Sequence, residues 1–348
     1  MLKKLFCALC ALCLLTSAAA AEQTIHMTFT GDVTLGSEKA YRTYKNSFHT
    51  VAETEGYEYF FRDWVELFSA DDLTVVNLEG PLTDSDSQED KSKTFRFNGK
   101  TDFVNILTLA SIEACNISNN HCSADFGKQG FQSTKDTLTA AGIGWFAVED
   151  VWIWEKDGIK IAFFGFNSTK LTSKMISWVK TEIPRLKSEE GVNAVVFVYH
   201  GGSEYAKKHN QKQTEAAHMA IDAGADLVIM HHPHVVQGVE VYNNRIICYS
   251  LGNFCFGGNR SIKHDAIETA VAGVTMDFDD NGVFTGSQLT LWPGHISTDS
   301  KANTFQPIHV TGEEAEAVMT LIQNDTKFTL NPVDEATGCA VQDYVPAE

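Results

Sequence analysis

The run Ala225-Asp226-Leu227-Val228-Ile229-Met230-His231-His232-Pro233-His234 joins an apolar stretch to three imidazoles within four residues. It predicts a buried strand that fixes the backbone, followed by a loop that aims ring nitrogens at a common point. That is a frequent way to build a metal site. Structural histidines are the alternative, but these three follow no apolar packing period.

Outward from this run the same arrangement repeats. Gly31-Asp32 follows the strand-like residues 27–30, Asn77-Leu78-Glu79-Gly80 follows 73–76, and Asn119-Asn120-His121 follows 115–118. His200-Gly201-Gly202 follows 194–199, and Ser250-Leu251-Gly252-Asn253 follows 246–249. In open α/β sheets the ligand lies beyond the carboxyl ends of the strands; here segment after segment ends there in Asp, Glu, Asn or His. Alone, Asp32 reads equally well as a structural residue, and Asn119-Asn120 as a cap or turn. His200 before two glycines is more specific, because glycine lets the backbone approach a ligand closely. Carboxylate, amide oxygen and imidazole together suit Mn²⁺, Zn²⁺ or Fe²⁺, and the lack of thiolates at the strand ends argues against structural zinc.

Strands are expected at 25–30, 73–77, 94–97, 115–118, 148–154, 159–164, 194–199, 235–241, 245–249, 268–277 and 285–291. Helical spacing marks 57–68, 103–114, 131–140, 175–186 (interrupted by Pro184), 212–223 and 313–322. Asp157-Gly158 and Tyr242-Asn243-Asn244 read as hairpin turns. The alternation predicts an α/β core, and the hairpins make its sheets mixed. No Pro/Gly/Ser linker divides the chain, so residues 22–330 read as one domain with two stacked sheets. Residues 331–348 read as a weakly patterned tail.

Lys3 and Lys4, the apolar residues 5–15 and the small residues 17–21 read as a secretory signal, cleaved after Ala20 or Ala21. A retained anchor is the alternative, and no later segment is long and apolar enough to cross a bilayer. The expected location is secreted or periplasmic, or at the cell surface. Loss of both lysines takes the formal charge from −18 to −20, which disfavours nucleic acid and anionic membranes as partners. Beyond the leader remain Cys115, Cys122, Cys248, Cys255 and Cys339, an odd number that excludes a full disulfide framework. Trp145, Trp152, Trp154 and residues 95–97 read as core packing in preference to a cleft lining.

Gly31-Asp32-Val33, Asn77-Leu78-Glu79, Ser118-Asn119-Asn120-His121 with Asp125 and Gly127, His200-Gly201-Gly202-Ser203-Glu204-Tyr205, Gly224-Ala225-Asp226 leading to His232-Pro233-His234-Val235, and Tyr249-Ser250-Leu251-Gly252-Asn253-Phe254 run in order through most of the chain. Together they resemble the bacterial capsule-synthesis family CapA, which includes the poly-γ-glutamate synthesis and export component. That family is in turn similar to the calcineurin-like metallophosphoesterases. The resemblance implies a four-layer α-β-β-α sandwich of two stacked mixed sheets, with one or two divalent ions (Mn, Zn or Fe). It implies Asp32, Glu79, Asn120, His200, His232 and His234 as ligands: Glu79 bridging, Asn120, His200 and His232 on one metal, and His234 on the other. His121 would act beside the leaving group, with Asp125, His231 and Asn253 as supporting residues. A typical phosphoesterase of that superfamily carries histidine where this chain has Thr34, which leaves one metal position short of a ligand. The family's usual arginine and tryptophan are also missing, with Ser37, Glu38 and Gly201 in those neighbourhoods. Cys115 with Cys122, and Cys248 with Cys255, flank two of the loops, as buried small residues in preference to a disulfide.

The implied function is an exported capsule or poly-γ-glutamate biosynthesis protein with a metal-dependent, phosphoesterase-like site. The rival is a non-catalytic component that handles the polymer and keeps a degenerate metal site. An amide hydrolase using the same metals is a third reading. The implied partners are an anionic polymer or a phosphorylated small molecule, and membrane-associated synthase components.

Overall fold

The computed structural model describes residues 23–168, 171–262 and 266–348; the expected leader lies outside the described residues. Strands β1 (Gln23–Thr34), β2 (Leu73–Leu78), β3 (Ala114–Asn116) and β4 (Gly144–Phe146) lie side by side in parallel. The chain then builds a second sheet from β5 (Trp152–Lys156), β6 (Ile159–Asn167), β7 (Ala194–His200), β8 (Leu227–His231), β9 (Val239–Tyr242) and β10 (Arg245–Cys248), in the order β5-β6-β7-β8-β10-β9. It returns to the first sheet with β11 (Asn253–Phe256), β12 (Glu268–Phe278), β13 (Phe284–His295), β14 (Ile308–His309), β15 (Ala340–Val341) and β16 (Val345–Pro346). There β12 pairs antiparallel with β1, while β11 runs parallel beside the end of β1.

Alternation along the strands decides what each face meets. Ile25, Met27 and Phe29 of β1 and Val75 of β2 point between the sheets, where they meet Ile161 and Phe163 of β6 and Ala194, Val196 and Val198 of β7. The opposite face of β2 and its neighbours buries Val76, Leu78, Cys115 and Ile117 under α1 (Phe48–Glu55), α2 (Val65–Ala70), α3 (Val104–Leu109) and α4 (Gly127–Ala140). On the far side, Val195, Phe197 and Tyr199 lie under α5 (Ser173–Glu189) and α6 (Gln211–Asp222). The result is the layered α-β-β-α sandwich expected from the sequence. A last helix, α7 (Gly312–Gln323), adds Ala315, Val318, Met319 and Ile322 to the core between the sheets.

Both hairpin turns form at the expected residues. Asp157 and Gly158 (φ 51° and 86°), and Asn243 and Asn244 (φ 45° and 57°), take the left-handed conformation that two-residue hairpins need.

Other local expectations shift. The expected helix at 57–68 breaks into a short turn at Tyr57–Tyr59 and α2, although Phe60, Phe61, Trp64 and Phe68 are all buried at the spacing of one helical face. The helix expected from 103 stops at Leu109, and Ser111 turns at φ 54° to start β3. Pro184 does not interrupt α5: it lies on the exposed face, and burial of Met175, Val179, Ile183 and Leu186 outweighs a penalty of about 3 kcal/mol. Residues 94–97 are not a strand, since the Phe97 amide is captured by Asp125. The residues beyond Asn331 are more ordered than their pattern suggests: β15 and β16 both pair with β13. All five described cysteines are free and buried.

Candidate metal centre

The expected site residues converge where the carboxyl ends of both sheets meet. Asp32 lies near the end of β1, Glu79 directly after β2, and Asn120 and His121 beyond β3. His200 and His231 end β7 and β8 and are register partners. Asn253 opens β11, level with Asp32. Close packing of backbone makes this possible. The Asp32 amide donates to the Gly252 carbonyl at 2.9 Å, and a Cβ on Gly31 would stand 2.3 Å from that same oxygen. Thr34, where a histidine would complete a phosphoesterase pattern, donates its hydroxyl to the Glu79 carbonyl at 2.8 Å and so ties β1 to the β2 loop.

Glu79 is the centre of the arrangement. It is fully buried, and neither carboxylate oxygen has a hydrogen-bond partner. Oε1 lies 3.4 Å from His200 Nε2, while Oε2 lies 3.9 Å from His234 Nδ1. The two oxygens therefore face two donor sets: Glu79, His200 and His232 on one side, and Asp32, Glu79 and His234 on the other. Within each set the donor atoms all lie within 4.8 Å of one another. Asn120 joins the first set, with its Oδ1 2.7 Å from His200 Nε2. Asp32 Oδ2 lies 3.1 Å from His234 Nδ1 but is not aligned for a hydrogen bond, and the Nδ1 atoms of His231 and His232 are also buried without partners. Buried polar atoms are ordinarily paired. So many unpaired donor atoms of the types that bind Mn²⁺, Zn²⁺ or Fe²⁺ fit a cation at these positions. The loop is also strained: His232 and His234 hold φ of 98° and 58°, a conformation that costs side chains on the order of 1–3 kcal/mol and clusters at functional sites.

Charge is arranged accordingly. Burial opposes ionisation of Asp32, yet the neighbouring imidazoles of His231 and His234 hold its carboxyl well below the usual range. Burial and the Asp32 charge push Glu79 up, but His234 and His200 outweigh them and keep it below its ordinary value. For His234, burial disfavours the charged ring, while Glu79 and Asp32 raise it to about 9. Burial and the adjacent His200 lower His232 to about 4.

Beside the donor sets, His121 places Nε2 3.9 Å from Glu79 Oε1 and anchors Nδ1 on Asp125 Oδ2 at 2.7 Å. Asp125 also accepts the Phe97 amide and pairs with Lys93, whose ammonium reaches the Asn120 carbonyl at 2.6 Å. His231, expected behind the ligands, is buried there, 3.3 Å from Asp32 Oδ1. Asn253 Oδ1 lies 2.9 Å from His234 Nδ1. Trp152 and Trp154 pack on the core between the sheets and Trp145 on the outer one. Phe97 instead lies against His121, with ring centroids 4.7 Å apart.

Sequence reasoning quoted Asn77 without giving it a role and left out Asn116. Asn116 donates to Asn77 Oδ1 at 2.7 Å, and Asn77 donates to Asp32 Oδ1 at 2.8 Å while touching His200 Nδ1 at 3.2 Å. Asn77 thus braces one residue from each sheet. Its signal was its place in the run Asn77-Leu78-Glu79, with the side chain two residues before the buried carboxylate.

Fold and site together define a two-sheet α/β sandwich that carries a buried carboxylate–imidazole cluster able to hold metal ions. The chain belongs to the family described as bacterial capsule synthesis protein PGA_cap, whose model matches residues 26–258. It is 29% identical over 255 residues to the PGA biosynthesis protein CapA of Bacillus subtilis, covering 68% of this chain and 64% of that protein. It is 30% identical over 260 residues to the capsule biosynthesis protein CapA of Bacillus anthracis, covering 67% of this chain and 60% of that protein. A probable polyglutamine synthesis accessory protein of Mycobacterium tuberculosis is 24% identical over 231 residues, 57% of this chain and 60% of its own length. The chain thus spans less than two-thirds of the length of the relatives it matches.

Proposed function

We propose that this protein is an exported component of capsule or poly-γ-glutamate biosynthesis that hydrolyses a phosphoester, or a bond of similar polarity, at a metal-dependent site. The observation that carries the reading is Glu79, a fully buried carboxylate with both oxygens unpartnered between two donor sets. Asp32, Glu79 and His234 would hold one ion, and Glu79, Asn120, His200 and His232 the other. Divalent ions there would supply Lewis acidity, polarising a phosphoryl or carbonyl oxygen and acidifying water. The chain's own groups do the rest. Asp125 fixes the His121 ring through Nδ1, leaving Nε2 to hold a proton beside the leaving oxygen. Lys93 braces Asp125 and the Asn120 carbonyl, so His121 and Asn120 stay in one geometry. Phe97 and Phe256 pack on the rings of His121 and His234 and limit access of water.

Export is supported by the signal-like first residues. Among the described residues no helix is long and apolar enough to cross a membrane. An accessory role in handling the polymer is the second reading, favoured by the mycobacterial relative's name as a synthesis accessory protein. Metal content of protein purified without chelator, together with turnover of a generic phosphodiester, separates the two. Bound metal and turnover that His232→Ala abolishes support hydrolysis. Turnover unchanged in His232→Ala, or metal bound without any turnover, supports the accessory role.

A further inference from the structure

The donor set of Asp32, Glu79 and His234 is short of protein ligands, because Thr34 at the end of β1 spends its hydroxyl on the Glu79 carbonyl. Mn²⁺, Zn²⁺ and Fe²⁺ take about four to six donors, so three protein ligands leave this position open. Glu204, in the loop between β7 and α6, offers a carboxylate oxygen within 4.8 Å of donor atoms of both His232 and His234. Its side chain is exposed, so it approaches from the solvent side, whereas Glu79 is buried beneath the same rings. His232 is itself buried, with an unpartnered Nδ1.

The approach is built into the fold. The loop that carries Glu204 is stitched along the histidine segment by two backbone hydrogen bonds, from Gly201 to the His231 carbonyl (3.0 Å) and from Tyr205 to the Pro233 carbonyl (2.8 Å). Tyr205, the next residue, holds φ 58°. Gly202 adopts φ 123° in a space where a Cβ would stand 2.8 Å from the Gln213 side chain. Further out, Gln237 donates to the Ala206 carbonyl at 2.7 Å and Asp325 accepts the His209 amide at 2.9 Å. These bonds hold both ends of the loop against the site.

The geometry points to Glu204 as a metal ligand that reaches the His234 side of the centre from solvent, beside His232. This rests on the two-position metal centre proposed above. With Glu204 in place the chain binds two ions, and the outer carboxylate is the ligand that an incoming anionic substrate would meet first.

The test uses the full chain, stripped of metal with chelator and titrated with Mn²⁺. Calorimetry gives the stoichiometry, and electron paramagnetic resonance counts free Mn²⁺. The wild type is expected to bind two equivalents. Glu204→Gln should keep one at unchanged affinity and weaken the other at least tenfold. His200→Ala, on the other side of Glu79, should weaken the opposite equivalent. Because Glu204 is exposed, the melting temperature in chelator should match wild type, which separates loss of a ligand from loss of fold. Two equivalents at unchanged affinity in Glu204→Gln overturn the inference and leave the metal centre standing. A wild type that binds no Mn²⁺, Zn²⁺ or Fe²⁺ overturns both.

Discussion

Metal binding at the Asp32–His234 position should release a proton. His234 in the metal-free protein is raised to about 9 by Glu79 and Asp32, against the opposing effect of burial, so at pH 7 its ring is almost fully protonated. His232 is lowered to about 4 and arrives neutral; Asp32 and Glu79 lie below their ordinary values and arrive ionised. Among these four shifted groups only His234 must give up a proton to become a ligand. The sign follows directly: a reaction that expels a proton is favoured as pH rises. Affinity at the Asp32–His234 position should therefore climb about tenfold per pH unit, about a hundredfold or about 2.8 kcal/mol between pH 7 and 9, and level off above 9. Calorimetric Mn²⁺ titrations at pH 7, in buffers of different ionisation enthalpy, read the proton count directly. One proton released per ion at that position is expected. None released, with affinity flat from pH 7 to 9, would refute the reasoning, because it would mean that His234 does not carry the proton or is not a ligand.

Other consequences can be checked separately. Asp125→Asn removes the anion that orients His121, and should lower hydrolysis by about 10²–10⁴-fold with Mn²⁺ stoichiometry unchanged; parallel loss of metal would instead make Asp125 a support of the ligands. At the opposite end of the sheet, burial raises half-buried Glu113 to about 7 while its Oε2 accepts the Thr74 amide. Its carboxyl ionises more readily in the unfolded chain, so folding is penalised increasingly from pH 4.5 up to about 7. Glu113→Gln keeps the acceptor and should gain on the order of 1 kcal/mol at pH 8 and nothing at pH 4, after allowance for solvent screening, by chemical denaturation at both pH values. Gln342→Ala leaves the Asn331 amide without its 2.9 Å acceptor and should cost about 1–3 kcal/mol by the same assay, with Mn²⁺ affinity unchanged.

The parts legible in the sequence were those with a local signature. Asp157-Gly158 and Asn243-Asn244 announce their turns because few other residues tolerate positive φ at adjacent positions. The candidate donor set was legible because each member lies at or shortly after the end of an apolar strand, and the parallel strands deliver those ends to one edge. What stayed hidden depends on partners far along the chain. Phe97 leaves the strand pattern because Asp125, 28 residues away, captures its amide. Asn77 matters because His200, 123 residues away, lies against it. The final residues pair with β13 through backbone groups that leave no mark on side-chain pattern. Between Tyr57 and Phe68 the helical spacing is present, but the backbone breaks where distant residues hold it: Trp64 donates to the Pro307 carbonyl at 3.1 Å and Gln306 donates to the Tyr59 carbonyl at 2.8 Å.

The most direct test of the two-position centre is a crystal structure of the Mn²⁺-loaded protein, with anomalous difference maps collected on either side of the manganese edge. Two peaks are predicted, one on each side of the Glu79 carboxylate: the first between Asp32 and His234, the second between His200 and His232. A map with no peak in contact with Glu79, or with manganese bound only elsewhere on the surface, would contradict the account.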